Sequence, residues 1–225
     1  MSEWMIRVLR PVASRWTRAC YGMEFVGVER VPAEGPIILT PNHVTYLDPI
    51  WVTVPIQRRI WYMAWDAIFR IPVFSTVVRT FGAFPVRIEG HDRGAMREAR
   101  QHLAAGRALM IFPEGGRTTT GRVMPFKAGA FRLALMTGAS IVPVTIDGAE
   151  HVWPVGRLLP TARGKIRITY HDPIPVEACG GELDLNELRR RARELADAAH
   201  DAVASGLDPS IAPGRRRAAV RPEGL

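Results

Sequence analysis

The chain has 225 residues, 47% of them hydrophobic, which suffices for one sizeable core and is short for two full domains. A formal net charge of +8 and a pI near 10.4 mean that it attracts anions, whether phosphate esters, an acidic membrane, nucleic acid or an acidic carrier protein, and charge alone does not choose among them. Cys20 and Cys179 are the only cysteines and form no C-x-x-C, against zinc and against a disulfide-built secreted scaffold; with no signal-peptide pattern and no apolar run long enough to cross a bilayer, the cytosol is the expected compartment.

Between residues 5 and 20, Met5, Val8, Leu9, Val12, Trp16 and Ala19 recur at three- and four-residue spacing, with Arg7 and Arg18 opposite and Arg10 and Arg15 flanking. This predicts a basic amphipathic helix in residues 1–22, suited to a lipid interface, with Pro11 kinking it or opening a second piece. The same stripe would serve a helix packed on the domain core. Apolar runs alternating with helical patterns then predict an α/β domain over 23–206, a single mixed or mainly parallel sheet flanked by helices. Strands are expected at 24–29, 36–40, 83–88, 107–112, 140–146 and 165–170, and helices at 48–56, 65–79, 91–105, 126–138 and 184–204. The aromatic cluster at 58–74 reads mostly as core packing. Asp184 and Glu187 are spaced as a capping box at the start of the last helix. The Pro-, Gly- and Arg-rich residues 207–225 predict a disordered basic tail.

Four places could hold chemistry. In "NHVTYLDP", the strand 36–40 ends before Pro41, and Pro49 disfavours helical geometry at Asp48, which makes Asp48 an N-cap. Extended chain would separate His43 from Asp48 by roughly 16 Å. A turn would instead let the carboxylate hold the imidazole as the base half of a triad. With no G-x-S-x-G and no nearby cysteine, the hydroxyl to be activated would belong to a substrate; taken alone, a His and an Asp flanking a turn are structural more often than catalytic. In "GAFPVRIEG", Arg87 sits at a strand end. In "MIFPEGGRTTTGR", Glu114, Gly115, Gly116 and Arg117 follow a strand; paired glycines let backbone approach an anion and Arg117 offers a planar fork of donors, but no G-K-[ST] makes it a Walker loop. In "PFKAGAFRLAL", Lys127 lies at a helix start, and beyond it Pro143 interrupts an apolar strand.

The order of these blocks resembles the glycerophospholipid acyltransferase family, in particular the bacterial 1-acyl-glycerol-3-phosphate acyltransferases. Over about residues 24–150 the chain carries N-H-x-x-x-x-D (Asn42, His43, Asp48), a G-x-F-x-x-R-like block (Gly82, Phe84, Arg87), F-P-E-G-x-R (Phe112 to Arg117), F-K-x-G-A (Phe126 to Ala130) and V-P-V (Val142 to Val144). It departs from the common E-G-T-R-S at Gly116 and Thr118. The resemblance implies an O-acyltransferase in which His43, held by Asp48, is general base on the acceptor hydroxyl. Arg87, Glu114, Gly115, Arg117 and Lys127 would position the acceptor phosphate. It further implies an acyl-CoA or acyl carrier protein thioester as cosubstrate, no metal and no other cofactor, a lysophospholipid acceptor, and peripheral attachment at the cytoplasmic face of a membrane, with no nucleic acid expected. A non-enzymatic basic module would explain the charge but not the ordered blocks; a thioesterase, or a transferase to another lysolipid or glycolipid, is the nearer rival.

Overall fold

The computed structural model describes residues 3–87, 92–118, 122–153, 164–179, 184–208 and 210–211. In chain order these form α1 (Glu3–Tyr21), β1 (Met23–Val26), β2 (Ile37–Pro41), α2 (Asp48–Thr53), β3 (Ile60–Trp65), α3 (Pro72–Thr80), β4 (Ala83–Val86), α4 (Arg93–Ala104), β5 (Ala108–Met110), α5 (Gly129–Thr137), β6 (Ser140–Asp147), α6 (Ala149–Val152), β7 (Ile166–Tyr170) and α7 (Leu185–Ser205). The strands make one mixed sheet in the order β1-β7-β6-β2-β5-β3-β4. β6, β2, β5, β3 and β4 run parallel, whereas β7 is antiparallel to β6 and carries β1 alongside it.

The central strands are apolar on both faces because helices or loops cover both. All five residues of β2 are buried. Strand alternation sends Ile37 and Leu39 to one core, with Trp51 and Val52 of α2, and Ile38 to the other, with Leu103, Phe131 and Ala196 from α4, α5 and α7. Each such aliphatic side chain contributes on the order of 1.5–3 kcal/mol through burial. Parallel strands need crossover connections, and those place the loops after β2 and β5 side by side at one edge of the sheet.

Several sequence expectations are corrected. Residues 60–65, inside the aromatic cluster, are strand β3, and the helix expected at 65–79 is instead a 3₁₀ turn at Asp66–Arg70 followed by α3. Pro72 is the cause: the residue before a proline is pushed out of helical space, and Ile71 sits at φ −95°, ψ 110°. Pro11 lies inside α1 and does not divide it into two helices. Pro41 belongs to β2 rather than following it. Pro143 does not interrupt β6. Its carbonyl accepts from His171 N at 3.0 Å, so its missing N–H faces the side where β7 has already ended at Tyr170. Asp184 is the N-cap of α7 but its side chain makes no cap bond, and the reciprocal bond of the expected box is absent too, because the Glu187 carboxylate is drawn forward to Arg190 and Arg191. Lys127 precedes α5 by two residues instead of starting it. In the expected tail, Asp208 N donates to Asp147 Oδ2 (2.8 Å). Residue 209 and residues 212–225 lie outside the described residues, as do Ile88 of the expected strand 83–88, His91 of the expected helix 91–105 and Thr119–Gly121 beside the third block.

Candidate active site

Where β2 ends, its pairing with β6 is continued by a side chain. Asn42 Nδ2 donates to Ile146 O at 2.9 Å, and Asn42 Oδ1 accepts from Ile146 N at 2.7 Å. An amide is the side chain that copies a peptide unit in this way, with one donor and one acceptor at the right spacing. The next residue, His43, thereby leaves the sheet edge at a fixed point.

The five-residue step to Asp48 folds back tightly. Asp48 is fully buried at the first turn of α2, and its carboxylate faces the loop before it. Oδ2 accepts from Val44 N (2.7 Å), Thr45 N (2.8 Å) and His43 Nδ1 (2.8 Å), and Oδ1 accepts from the Thr45 hydroxyl (2.5 Å). The N-cap position itself falls to Leu47. An Oδ2 already committed to two main-chain N–H groups is an acceptor, so Nδ1 carries the proton and Nε2 is left with its lone pair free. Nε2 has no hydrogen-bond partner among the described residues. The other face of the ring is held by Phe112, stacked at 4.0 Å between centroids and 26° between planes. A ring fixed at both its Nδ1 and its face can take and return a proton without reorienting.

Phe112 begins the loop that follows β5, the strand beside β2, and the two loops are tied together. Thr118 N donates to His43 O (2.8 Å), and His43 N donates to Glu114 Oε1 (3.4 Å). Glu114 is buried at 2% exposure, and its Oε2 has no hydrogen-bond partner among the described residues. Burial is the main force on its carboxyl, raising it from the ordinary carboxylate range to about 8; nearby Asp48 adds to the rise, and the main-chain N–H groups of His43 and Met124 oppose it. The group is therefore mostly protonated at neutral pH. A carboxyl whose folded-state value is raised stabilises the fold below its unfolded value, and that stability is lost as pH climbs through the folded one. Glu114→Gln should then gain on wild type between pH 4.5 and 8.5 by on the order of 2–4 kcal/mol in urea unfolding. A difference between the two proteins that stays flat across that range would contradict the assignment.

Gly115 adopts φ +74°, a backbone conformation that residues with a side chain rarely take, and the Lys127 ammonium lies where a Cβ would stand. Lys127 is anchored by its own main chain, whose N–H donates to Pro113 O at 2.9 Å. Arg117 lies with Cζ 3.4 Å from the centroid of the Tyr46 ring, and its Nη1 is buried without a hydrogen-bond partner among the described residues. Arg87 stands apart. It follows β4 at the same edge of the sheet but three strands from β2, about 14 Å by strand spacing, and its main-chain N donates to Asp92 Oδ2 at 3.0 Å.

The structure thus gathers His43, Asp48, Glu114, Gly115, Arg117 and Lys127 from the two loops and the approach to α5. It leaves Arg87 outside their contacts. Asn42, Thr45, Tyr46 and Phe112 belong to the constellation without having been singled out as site residues from sequence. Asn42 and Phe112 stand in the N-H-x-x-x-x-D and F-P-E-G-x-R blocks, which was the signal available for them; Thr45 and Tyr46 had none. Among the described residues no group of three or more His, Cys, Asp or Glu side chains could hold a metal ion.

Comparison with known proteins identifies the family. A family model described as Acyltransferase matches residues 22–147. A chloroplastic 1-acyl-sn-glycerol-3-phosphate acyltransferase of Arabidopsis thaliana is 29% identical over 182 residues, 79% of this chain and 50% of the relative. A 1-acyl-sn-glycerol-3-phosphate acyltransferase of Borreliella burgdorferi is 31% identical over 122 residues, covering 53% of this chain and 49% of its own. The chain spans about half the length of the curated relatives it matches. The crystal structure of the 1-acyl-sn-glycerophosphate acyltransferase PlsC from Thermotoga maritima superposes with a TM-score of 0.67 at 26% identity, covering 88% of this chain and 78% of that one. With the matched region enclosing the sheet edge, both loops and the His43–Asp48 pair, the chain belongs to the Acyltransferase family.

Proposed function

We propose that the chain transfers a fatty acyl group from a thioester to the free hydroxyl of a lysophospholipid, with 1-acyl-glycerol-3-phosphate as acceptor and phosphatidic acid as product. The observation that carries this reading is the His43 ring, fixed by Asp48 and Phe112, beside a loop that carries Arg117, with neither Nε2 nor the Arg117 Nη1 partnered among the described residues. His43 Nε2 takes the hydroxyl proton as the oxygen attacks the thioester carbonyl. The tetrahedral adduct collapses by breaking its C–S bond, and the leaving thiolate takes the proton back from Nε2. No covalent acyl-enzyme is required. The thioester is that of coenzyme A or of an acyl carrier protein, and no metal takes part. Arg117 and Lys127 bring positive charge to a phosphate, and a protonated Glu114 adds no negative charge to repel it. Arg87, on the same sheet edge, serves the distal side of the acceptor. Thiol release followed with and without lysophosphatidate tests the reaction class: transfer predicts release that depends on acceptor, whereas equal release without it makes the protein a thioesterase.

Both lipids reside in a bilayer, and α1 supplies the means of reaching it at the cytoplasmic face. Val12 and Trp16, on its predicted apolar stripe, are 61% and 57% exposed, and Tyr21 ties the helix end to Trp51 of α2 through ring contact at 5.9 Å. No described helix is long and apolar enough to cross a membrane; the exposed apolar face of residues 1–22 and the basic residues around it suit attachment at the lipid interface. The double substitution Val12→Glu, Trp16→Glu should move the protein from the pellet to the supernatant when sedimented with anionic liposomes. Unchanged sedimentation would remove α1 from the account.

A further inference from the structure

Tyr46 has no packing role that explains it. Its side chain is 58% exposed, it lies between His43 and Asp48 on the loop after β2, and its ring covers the Arg117 guanidinium of the neighbouring loop. A guanidinium with one face against an aromatic ring has its plane set by that ring and can donate only from its edge, the geometry that meets two phosphate oxygens at once. Among the described residues the buried Nη1 of Arg117 has no hydrogen-bond partner and no carboxylate pairs with the guanidinium, so its donors are not committed to the protein's own acidic groups. The loop carrying the ring is the loop carrying the base, and main-chain bonds at His43 tie it to the loop of Arg117. One frame therefore fixes the separation between the phosphate anchor and the imidazole.

We propose that Tyr46 is a positioning residue for the acceptor's phosphate ester, acting through Arg117 by holding the guanidinium edge-on to the head group. This rests on the acyl-transfer reading above. It assigns to the variable part of the N-H-x-x-x-x-D block a part in head-group selection, because an acceptor without an anionic head gains nothing from an oriented Arg117.

The test is steady-state kinetics of the full chain with lysophosphatidate varied at saturating acyl-thioester. Tyr46→Leu, which keeps bulk and loses the ring, should raise KM for lysophosphatidate about fivefold to tenfold with kcat within about twofold. Tyr46→Phe should restore KM to within about twofold of wild type, since the ring and not the hydroxyl carries the contact. In an Arg117→Ala background, Tyr46→Leu should change KM no further. An unmoved KM in Tyr46→Leu, a Phe variant as impaired as the Leu variant, or a full additional loss in the Arg117→Ala background each overturns the proposal while acyl transfer by the wild type stands. A wild type that does not turn over lysophosphatidate overturns the acceptor reading, and this proposal with it.

Discussion

Replacing His43 with alanine is expected to lower the rate of acyl transfer by about three orders of magnitude or more while the fold survives. The two halves of that expectation have separate causes. Nε2 is the one nitrogen of the ring without a hydrogen-bond partner among the described residues, and so the one that can take the acceptor proton. Removing the ring costs little stability, because Asp48 keeps Val44 N, Thr45 N and the Thr45 hydroxyl as donors, and only the stack on Phe112 and one hydrogen bond are lost. That loss is about 1 kcal/mol, or a fall of roughly 2–4 °C in Tm for a chain of this size. A variant retaining activity within tenfold of wild type would mean that another group removes the proton.

Asp48 should behave differently, because its carboxylate does two things at once. It orients His43, and it closes the loop by accepting from two main-chain N–H groups at a site with no access to water. Asp48→Ala strands those donors in the interior, at a cost of about 3 kcal/mol or more, and with them the geometry of the base. Asp48→Asn keeps the volume but offers N–H where an acceptor is needed, so the ring loses the partner that fixes its tautomer. Its rate should fall by about a thousandfold with a smaller loss of stability than in the alanine variant. Urea denaturation and initial rates on the same preparations separate the two effects. If Asp48→Ala unfolds at the wild-type denaturant concentration, the carboxylate is not closing the loop.

The difference between these two residues was only half legible in the sequence. Spacing allowed His43 and Asp48 to meet or to lie roughly 16 Å apart, and the deciding contacts are main-chain N–H groups that every sequence possesses. The central strands were readable because burial on both faces leaves an unbroken apolar run, as in Ile37–Leu39 and Ile141–Val144. Strand β3 was not: tryptophan, tyrosine and methionine in Trp61–Trp65 suit either a strand or a helix, and a short run does not resolve the period. Pro72 was the available signal for ending that ambiguity at Ile71. The Glu187 error came from the arginines that follow it, which compete for the carboxylate more strongly than the helix start does. Contacts such as Tyr46 on Arg117, made across two loops brought together by the neighbouring strands β2 and β5, leave no local trace in the chain.

The lipid products decide which acceptor receives the acyl group. Purified protein would be given one acyl thioester with an equimolar mixture of lysophosphatidate, glycerol phosphate and an uncharged monoacylglycerol, and the products identified by mass spectrometry. The account predicts phosphatidic acid as the dominant product, absent when His43→Ala replaces the wild type. Free fatty acid alone, or a diacyl product of the uncharged acceptor formed in preference, would contradict it.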